Sequence, residues 1–75
     1  MKYCSIVYFW KGRGITQEIS CLYRDGEQLV EWRDRLWTEF LEQMAAEGWF
    51  LVATVSIVED LIEGPGIAAY FNRSS

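Results

Sequence analysis

Seventy-five residues make one domain, and a chain of this size buries only about 60% of the surface its unfolded form exposes, so it needs a rich core. It has one, since 51% of the residues are apolar and 16% aromatic. A net charge of −4 argues against general binding of nucleic-acid polymers, while two cysteines and no histidine exclude a disulfide scaffold and the usual zinc ligand sets.

Residues 2–10 (KYCSIVYFW) are β-branched and aromatic, which predicts a first strand. Their apolar run stops at Lys11 without a small-residue cleavage site, so it reads as a strand rather than a signal peptide. Lys11-Gly12-Arg13-Gly14 reads as a turn. Residues 15–24 then alternate, with Ile15, Ile19, Cys21 and Tyr23 against Thr16, Glu18, Ser20 and Arg24; Leu22 breaks the pattern. A two- or four-residue connection sets Trp10 opposite Ile15, Ile6 opposite Ile19 and Cys4 opposite Cys21, all apolar pairs. A three-residue loop would shift that register by one.

Asp25 reads as an N-cap, with Gln28 completing a capping box. The apolar positions Leu29, Val30, Trp32, Leu36, Trp37, Phe40, Leu41 and Met44 predict one amphipathic helix of about twenty residues. It closes at Gly48 as the left-handed C′ residue, with Trp49 folding back on Met44. Residues 49–58 predict a third strand, with Trp49, Leu51, Ala53, Val55 and Ile57 on one side. After a break rich in Gly and Pro, residues 67–73 predict a fourth. The expected fold is α+β, a ββαββ order in which one amphipathic helix packs on a four-stranded antiparallel sheet, in a single domain 1–75. No stretch approaches the roughly 18 consecutive apolar residues of a membrane span, so no membrane partner and a cytoplasmic location are expected.

Residues 40–60 (FLEQMAAEGWFLVATVSIVED), followed by a Gly-rich break and IAAYFNR, resemble a family of small uncharacterised bacterial and phage domains. In that family a helix ends in an EGW-x-LV type motif and runs into a strand hairpin. Ala46-Glu47-Gly48-Trp49 and Leu51-Val52 match the core of the motif, Phe71-Asn72-Arg73 its end, and residues 3–9 its first strand. The chain departs from the pattern in its long second strand and in Phe50, where an acidic residue is common. The resemblance implies the fold; the family has no agreed activity, so it implies no function.

The chemistry-bearing residues argue against an enzyme. General acid–base work needs a tuned histidine or a paired carboxylate, and the carboxylates here spread over one helix face and the loop of Glu59, Asp60 and Glu63. That loop's spacing matches no calcium loop, so no metal and no cofactor are expected. Cys4 and Cys21 could form a redox pair, but read better as small buried apolar residues. Arg33 falls inside the apolar helical stripe, where it must snorkel, pair with a carboxylate such as Glu18, or meet an anionic ligand. Lys11, Arg13 and the neighbouring Trp10 form a second candidate anion and ring-stacking site.

The aromatic excess points to partners. Tyr3, Val7, Phe9 and Leu22 share the side away from the core, and Phe50, Val52, Val58 and Tyr70 hold the matching positions of the second hairpin. One helix covers one sheet face, so these residues need another cover, and a second copy of the chain is the simplest. The expectation is a non-catalytic binding protein acting as a homo-oligomer, dimer or higher. Tyr3, Val7, Phe9, Phe50, Val52 and Tyr70 form its interface, and Trp10, Lys11, Arg13 and Arg33 receive a small anionic ligand of the nucleotide type. Sequestering such a signal molecule would suit phage counter-defence. The alternative is a module that binds and blocks a host protein directly.

Overall fold

The computed structural model describes residues 1–12, 17–60, 62 and 64–74, with Val58, Glu59 and Asp60 described in backbone only. Five strands form one antiparallel sheet: β1 (Lys2–Lys11), β2 (Glu18–Arg24), β3 (Glu27–Gln28), β4 (Phe50–Asp60) and β5 (Gly64–Arg73), in the order β3-β2-β1-β5-β4. A 3-10 turn (Val30–Trp32) and one helix, α1 (Trp37–Ala46), fill the chain between β3 and β4. The four-stranded ββαββ expectation is therefore corrected to five strands, and the helix is ten residues long rather than about twenty.

The physical reason lies at Asp25-Gly26. Both residues have left-handed φ, 49° and 89°, which is the requirement of a two-residue hairpin turn. Asp25 tolerates that conformation better than most residues, and its carboxylate accepts from the Ser5 backbone N–H at 2.9 Å and the Ser5 hydroxyl at 3.3 Å. The chain thus turns where a helix start was expected, and pairs Tyr23 with Gln28 and Arg24 with Glu27.

Residues 29–37 then run along the outer edge of β2, with only the 3-10 turn coiled before α1 begins at Trp37. Leu29 N–H donates to Leu22 C=O (2.9 Å), Asp34 N–H to Ile19 C=O (2.7 Å), Ile19 N–H to Arg35 C=O (2.7 Å) and Trp37 N–H to Gln17 C=O (3.1 Å). These bonds occupy backbone groups that a longer helix would have used internally. Asp34 sits at φ 66°, inside a second turn in which Arg35 N–H donates to Trp32 C=O at 3.2 Å, after Arg33 has closed the 3-10 turn.

The C-terminus of α1 follows the sequence expectation. Gly48 N–H donates to Ala45 C=O (3.0 Å) and Trp49 N–H to Met44 C=O (3.0 Å), the paired bonds of a Schellman motif, with Gly48 at φ 86°. Arg73 adds a cap, donating from Nη1 to Glu47 C=O at 3.2 Å. Trp49 is buried in the same core as Met44.

Cys4, Ile6 and Tyr8 of β1, Ile19 and Leu22 of β2, and Ala69 and Phe71 of β5 meet Trp32, Phe40, Met44 and Trp49 in the core. Tyr8 stacks on Trp37, centroids 3.7 Å apart and planes 13° from parallel, and Trp37 stacks in turn on Phe40.

Two register shifts re-sort the faces. The observed β1–β2 pairs are Ile6 with Arg24, Tyr8 with Leu22 and Phe9 with Cys21, then Trp10 with Ile19. The expected pairings of Ile6 with Ile19 and Cys4 with Cys21 are thus replaced, and Ile15, the expected partner of Trp10, lies outside the described residues. Ser20 is the extra residue, which puts Ile19 and Leu22 on the same side: Leu22 belongs to the core, not to the far face. In β4 the extra residue is Val52, between Leu51 (opposite Phe71) and Ala53 (opposite Tyr70). Ala53, Val55 and Ile57 therefore leave the expected core side for the far face, and Thr54 and Ser56 turn toward the helix side.

Burial pushes the Tyr8 phenol up to about 12 from an ordinary 10.0. The folded state thus keeps a proton that the unfolded chain releases near pH 10, so this contribution is complete below pH 10 and is lost as pH rises toward 12. The expected loss is about 2–3 kcal/mol across that window, at about 1.4 kcal/mol per pKa unit. Urea titrations at stepped alkaline pH check it, with Tyr8→Phe expected to reduce the slope between pH 10 and 12.

Candidate functional site

Cross-strand partners share a face, so the register defines the surface opposite α1. Tyr3 pairs with Asn72, Ser5 with Tyr70, Val7 with Ala68 and Phe9 with Gly66; across β5, Phe50 meets Asn72, Ala53 meets Tyr70, Val55 meets Ala68 and Ile57 meets Gly66. Along these pairs of β1, β5 and β4 the face is almost wholly apolar, interrupted by Ser5 and Asn72, whereas toward β3 it carries Gln28, whose Nε2 donates to Cys21 Sγ at 3.7 Å; no described element lies over it. Tyr3 is 75% exposed, Phe50 67%, Val55 53% and Tyr70 45%, while Val7 and Phe9 are half-buried between neighbours.

Five of the six expected interface residues, Tyr3, Val7, Phe9, Phe50 and Tyr70, come together on it. The sixth, Val52, is exposed at the bulge and stands outside the paired ladder. Val55 and Ile57 are members that alternation alone assigned to the core, and Val58 is described in backbone only.

The inside-out pattern of β4 carries information. The helix side of β4 bears Leu51, Thr54 and Ser56, all exposed, because α1 does not reach over this strand. On the uncovered far side stand Phe50, Ala53, Val55 and Ile57. Apolar residues are thus concentrated where the chain itself supplies no cover.

The expected anion site is only partly assembled. Lys11 donates from Nζ to Asp34 Oδ1 at 2.7 Å, and Arg33 lies close enough to Asp34 to act on its charge. Both groups are exposed; the mutual bond raises the Lys11 pKa and lowers that of Asp34. Arg33 is not in an apolar stripe: it ends the 3-10 turn on the exposed surface, because residues 29–37 follow the edge of β2. Trp10 is half-buried, 5.6 Å from Tyr8, and packs against the core. Arg13 lies outside the described residues.

A second arginine cluster was not anticipated. Arg73 and Arg24 approach the Trp49 ring, with their guanidinium carbons 4.5 and 5.6 Å from its centroid, and Arg24 Nη1 lies 3.8 Å from Glu47 Oε1. The negative end of α1 explains why cations gather there. The sequence signal was the pairing of a helix-ending Gly-Trp with a terminal Arg.

Cys4 and Cys21 are both free and buried, on opposite faces of the sheet: Cys4 pairs with Phe71 on the helix side and Cys21 with Phe9 on the far side. They are no redox pair. Burial chiefly raises the Cys4 pKa, the direction that suppresses a reactive thiolate. The described residues contain no group of metal-ligating side chains and no enclosed pocket, and no described helix is long and apolar enough to cross a membrane.

No family model matches the chain, and neither the curated proteins nor the solved structures contain a match.

Proposed function

We propose that this chain is a non-catalytic binding protein of the cytoplasm that works as a homo-oligomer, with the far sheet face as its contact surface. One observation carries the reading: an apolar face, centred on Tyr3, Phe9, Phe50, Val55 and Tyr70, that no described part of the chain covers. Taking roughly 150–250 Å² for a whole aromatic side chain, the exposed side chains amount to on the order of 600 Å². A soluble monomer's largest apolar patch is about 300–600 Å², and a standard interface takes about 600–1,000 Å² from each partner. The face lies at the point where association becomes the better cover.

Protein contact suits this surface better than anion capture, since Tyr3, Phe9, Phe50, Val55 and Tyr70 carry no positive charge. The resemblance to small uncharacterised bacterial and phage domains is compatible with such a role and does not define it.

Sedimentation velocity and native mass spectrometry at micromolar concentration test the reading. The wild type is expected to be oligomeric, and Tyr70→Asp, at an exposed position in the middle of the face, to lower its mass. A monomeric wild type, or a Tyr70→Asp protein with unchanged mass and unchanged dissociation on dilution, overturns it.

A further inference from the structure

The two edges of the sheet are treated differently. On one side β2 is closed by β3 and by residues 29–37, through four backbone hydrogen bonds between Leu29–Leu22, Asp34–Ile19, Ile19–Arg35 and Trp37–Gln17. On the other side β4, eleven residues long, has β5 as its sole partner among the described residues. Its outward backbone groups form a ready template for another strand.

Soluble proteins blunt such an edge with charges, proline or shortness. Here residues 50–58 (FLVATVSIV) contain no charge, no proline and no glycine. The bulge at Val52 and the irregularity after Ile57 lie outside a run, 53–57, that keeps unbroken register with β5. That run offers its outer backbone groups in regular alternation.

We propose that β4 pairs antiparallel with β4 of a second copy across a twofold axis at Val55, joining two five-stranded sheets into one of ten. The proposal rests on the homo-oligomer reading and adds a second surface to it. An axis normal to the sheet preserves the faces, so both helices stay on one side and both far faces merge on the other. With Val55 beside its own copy, Thr54 stands opposite Ser56 on the helix side and Ala53 opposite Ile57 on the far side. Polar residues thus meet polar and apolar meet apolar.

A second copy, rather than a peptide of another protein, is the occupant committed to, because the pairs Thr54–Ser56, Val55–Val55 and Ala53–Ile57 make this uncharged antiparallel run complementary to itself. Two such dimers packed back to back through their far faces give a closed four-chain assembly with dihedral symmetry, in which both open surfaces are covered.

The test uses charge at two exposed positions that make no core contact. Thr54→Lys with Ser56→Lys, and separately Thr54→Glu with Ser56→Glu, place like charges opposite one another across the axis. Each double variant is expected to lose about tenfold or more in affinity and to halve the assembly mass, while an equal mixture restores it. Hydrogen exchange gives an independent readout: alternate amides within 53–57 should be protected in the assembly and released on dilution of the wild type. A double variant that keeps the wild-type mass overturns the proposal, as does a mixture that stays dissociated or an exchange rate in 53–57 indifferent to dilution. Tyr70→Asp probes the other surface: if it alone lowers the mass, the far-face reading stands and edge pairing falls; if the charge pairs alone do so, the reverse holds.

Discussion

Replacing Phe40 with alanine is expected to destabilise the fold by about 3–5 kcal/mol, the range for truncating a buried aromatic in a core that cannot collapse around the void. Phe40 is 2% exposed and stands where three parts of the chain converge. Trp32 of the 3-10 turn meets its ring edge-on, centroids 5.0 Å apart and planes 87° to each other, and Trp37 of α1 stacks on it at 5.3 Å. Beneath them lie Ile6 and Tyr8 of β1. Each aromatic pair adds about 0.5–1.5 kcal/mol beyond area, so truncation removes more than a cavity's worth of contact. At about 0.05–0.15 kcal/mol per residue, a chain this short has roughly 4–11 kcal/mol in all, so the loss is a large share of the total. Urea denaturation followed by tryptophan fluorescence measures it. Phe40→Leu, which keeps most of the volume, should lose no more than about 2 kcal/mol, and a loss under about 1.5 kcal/mol for the alanine variant would mean that Phe40 is not the joint described.

The parts of this fold that were legible in the sequence are those governed by local chemistry. Gly48-Trp49 announced a left-handed helix end with an apolar return to Met44, and both the bonds and the burial follow. Strand positions were legible from β-branched and aromatic runs. The short helix was not, because two local signals competed over the same residues. Asp25 with Gln28 fits a capping box, yet Asp25-Gly26 is also the strongest two-residue hairpin signal, and the hairpin prevails by pairing β3 with β2 and tying Asp25 to Ser5. The apolar spacing of residues 29–36 then serves a segment lying along a strand, with Trp32 buried and Val30 in solvent.

Arg33 lost its expected setting for the same reason. Side assignments failed wherever a bulge entered, since one extra residue inverts every later position. In β2 there was a tell, Leu22 among polar neighbours; it marks the shift at Ser20. In β4 there was none, because 51, 53, 55 and 57 are apolar in unbroken alternation and nothing in the sequence marks Val52 as extra. The candidate surface survived that error since Tyr3, Val7, Phe9, Phe50 and Tyr70 all lie before the bulge or on other strands. The shift then added Val55 and Ile57 to the face.

Gly64→Ala is expected to cost about 3 kcal/mol or more, through two terms that a glycine series can separate. The first is conformational: Gly64 has φ 95°, where an L side chain is strained, at about 1–2 kcal/mol. The second is steric: a Cβ at this position would lie 2.7 Å from the Trp10 carbonyl oxygen, a backbone atom at the end of β1 that cannot rotate away. Gly26 isolates the first term. Its φ of 89° is nearly the same, but a Cβ there would meet nothing within 4 Å. Gly48→Ala is intermediate in surroundings, with φ 86° and the flexible Arg73 Cδ at 3.5 Å, an ordinary contact. Thermal or urea unfolding should therefore rank Gly26→Ala and Gly48→Ala together near the conformational cost, with Gly64→Ala well below both. Because Gly64 opens β5, relief of the clash would have to move that strand's start away from β1 and carry its neighbour β4 with it. The variant is accordingly expected to show faster amide exchange at the adjoining ends of β1 and β5, and equal costs across the three glycines would refute the close approach of Gly64 to Trp10.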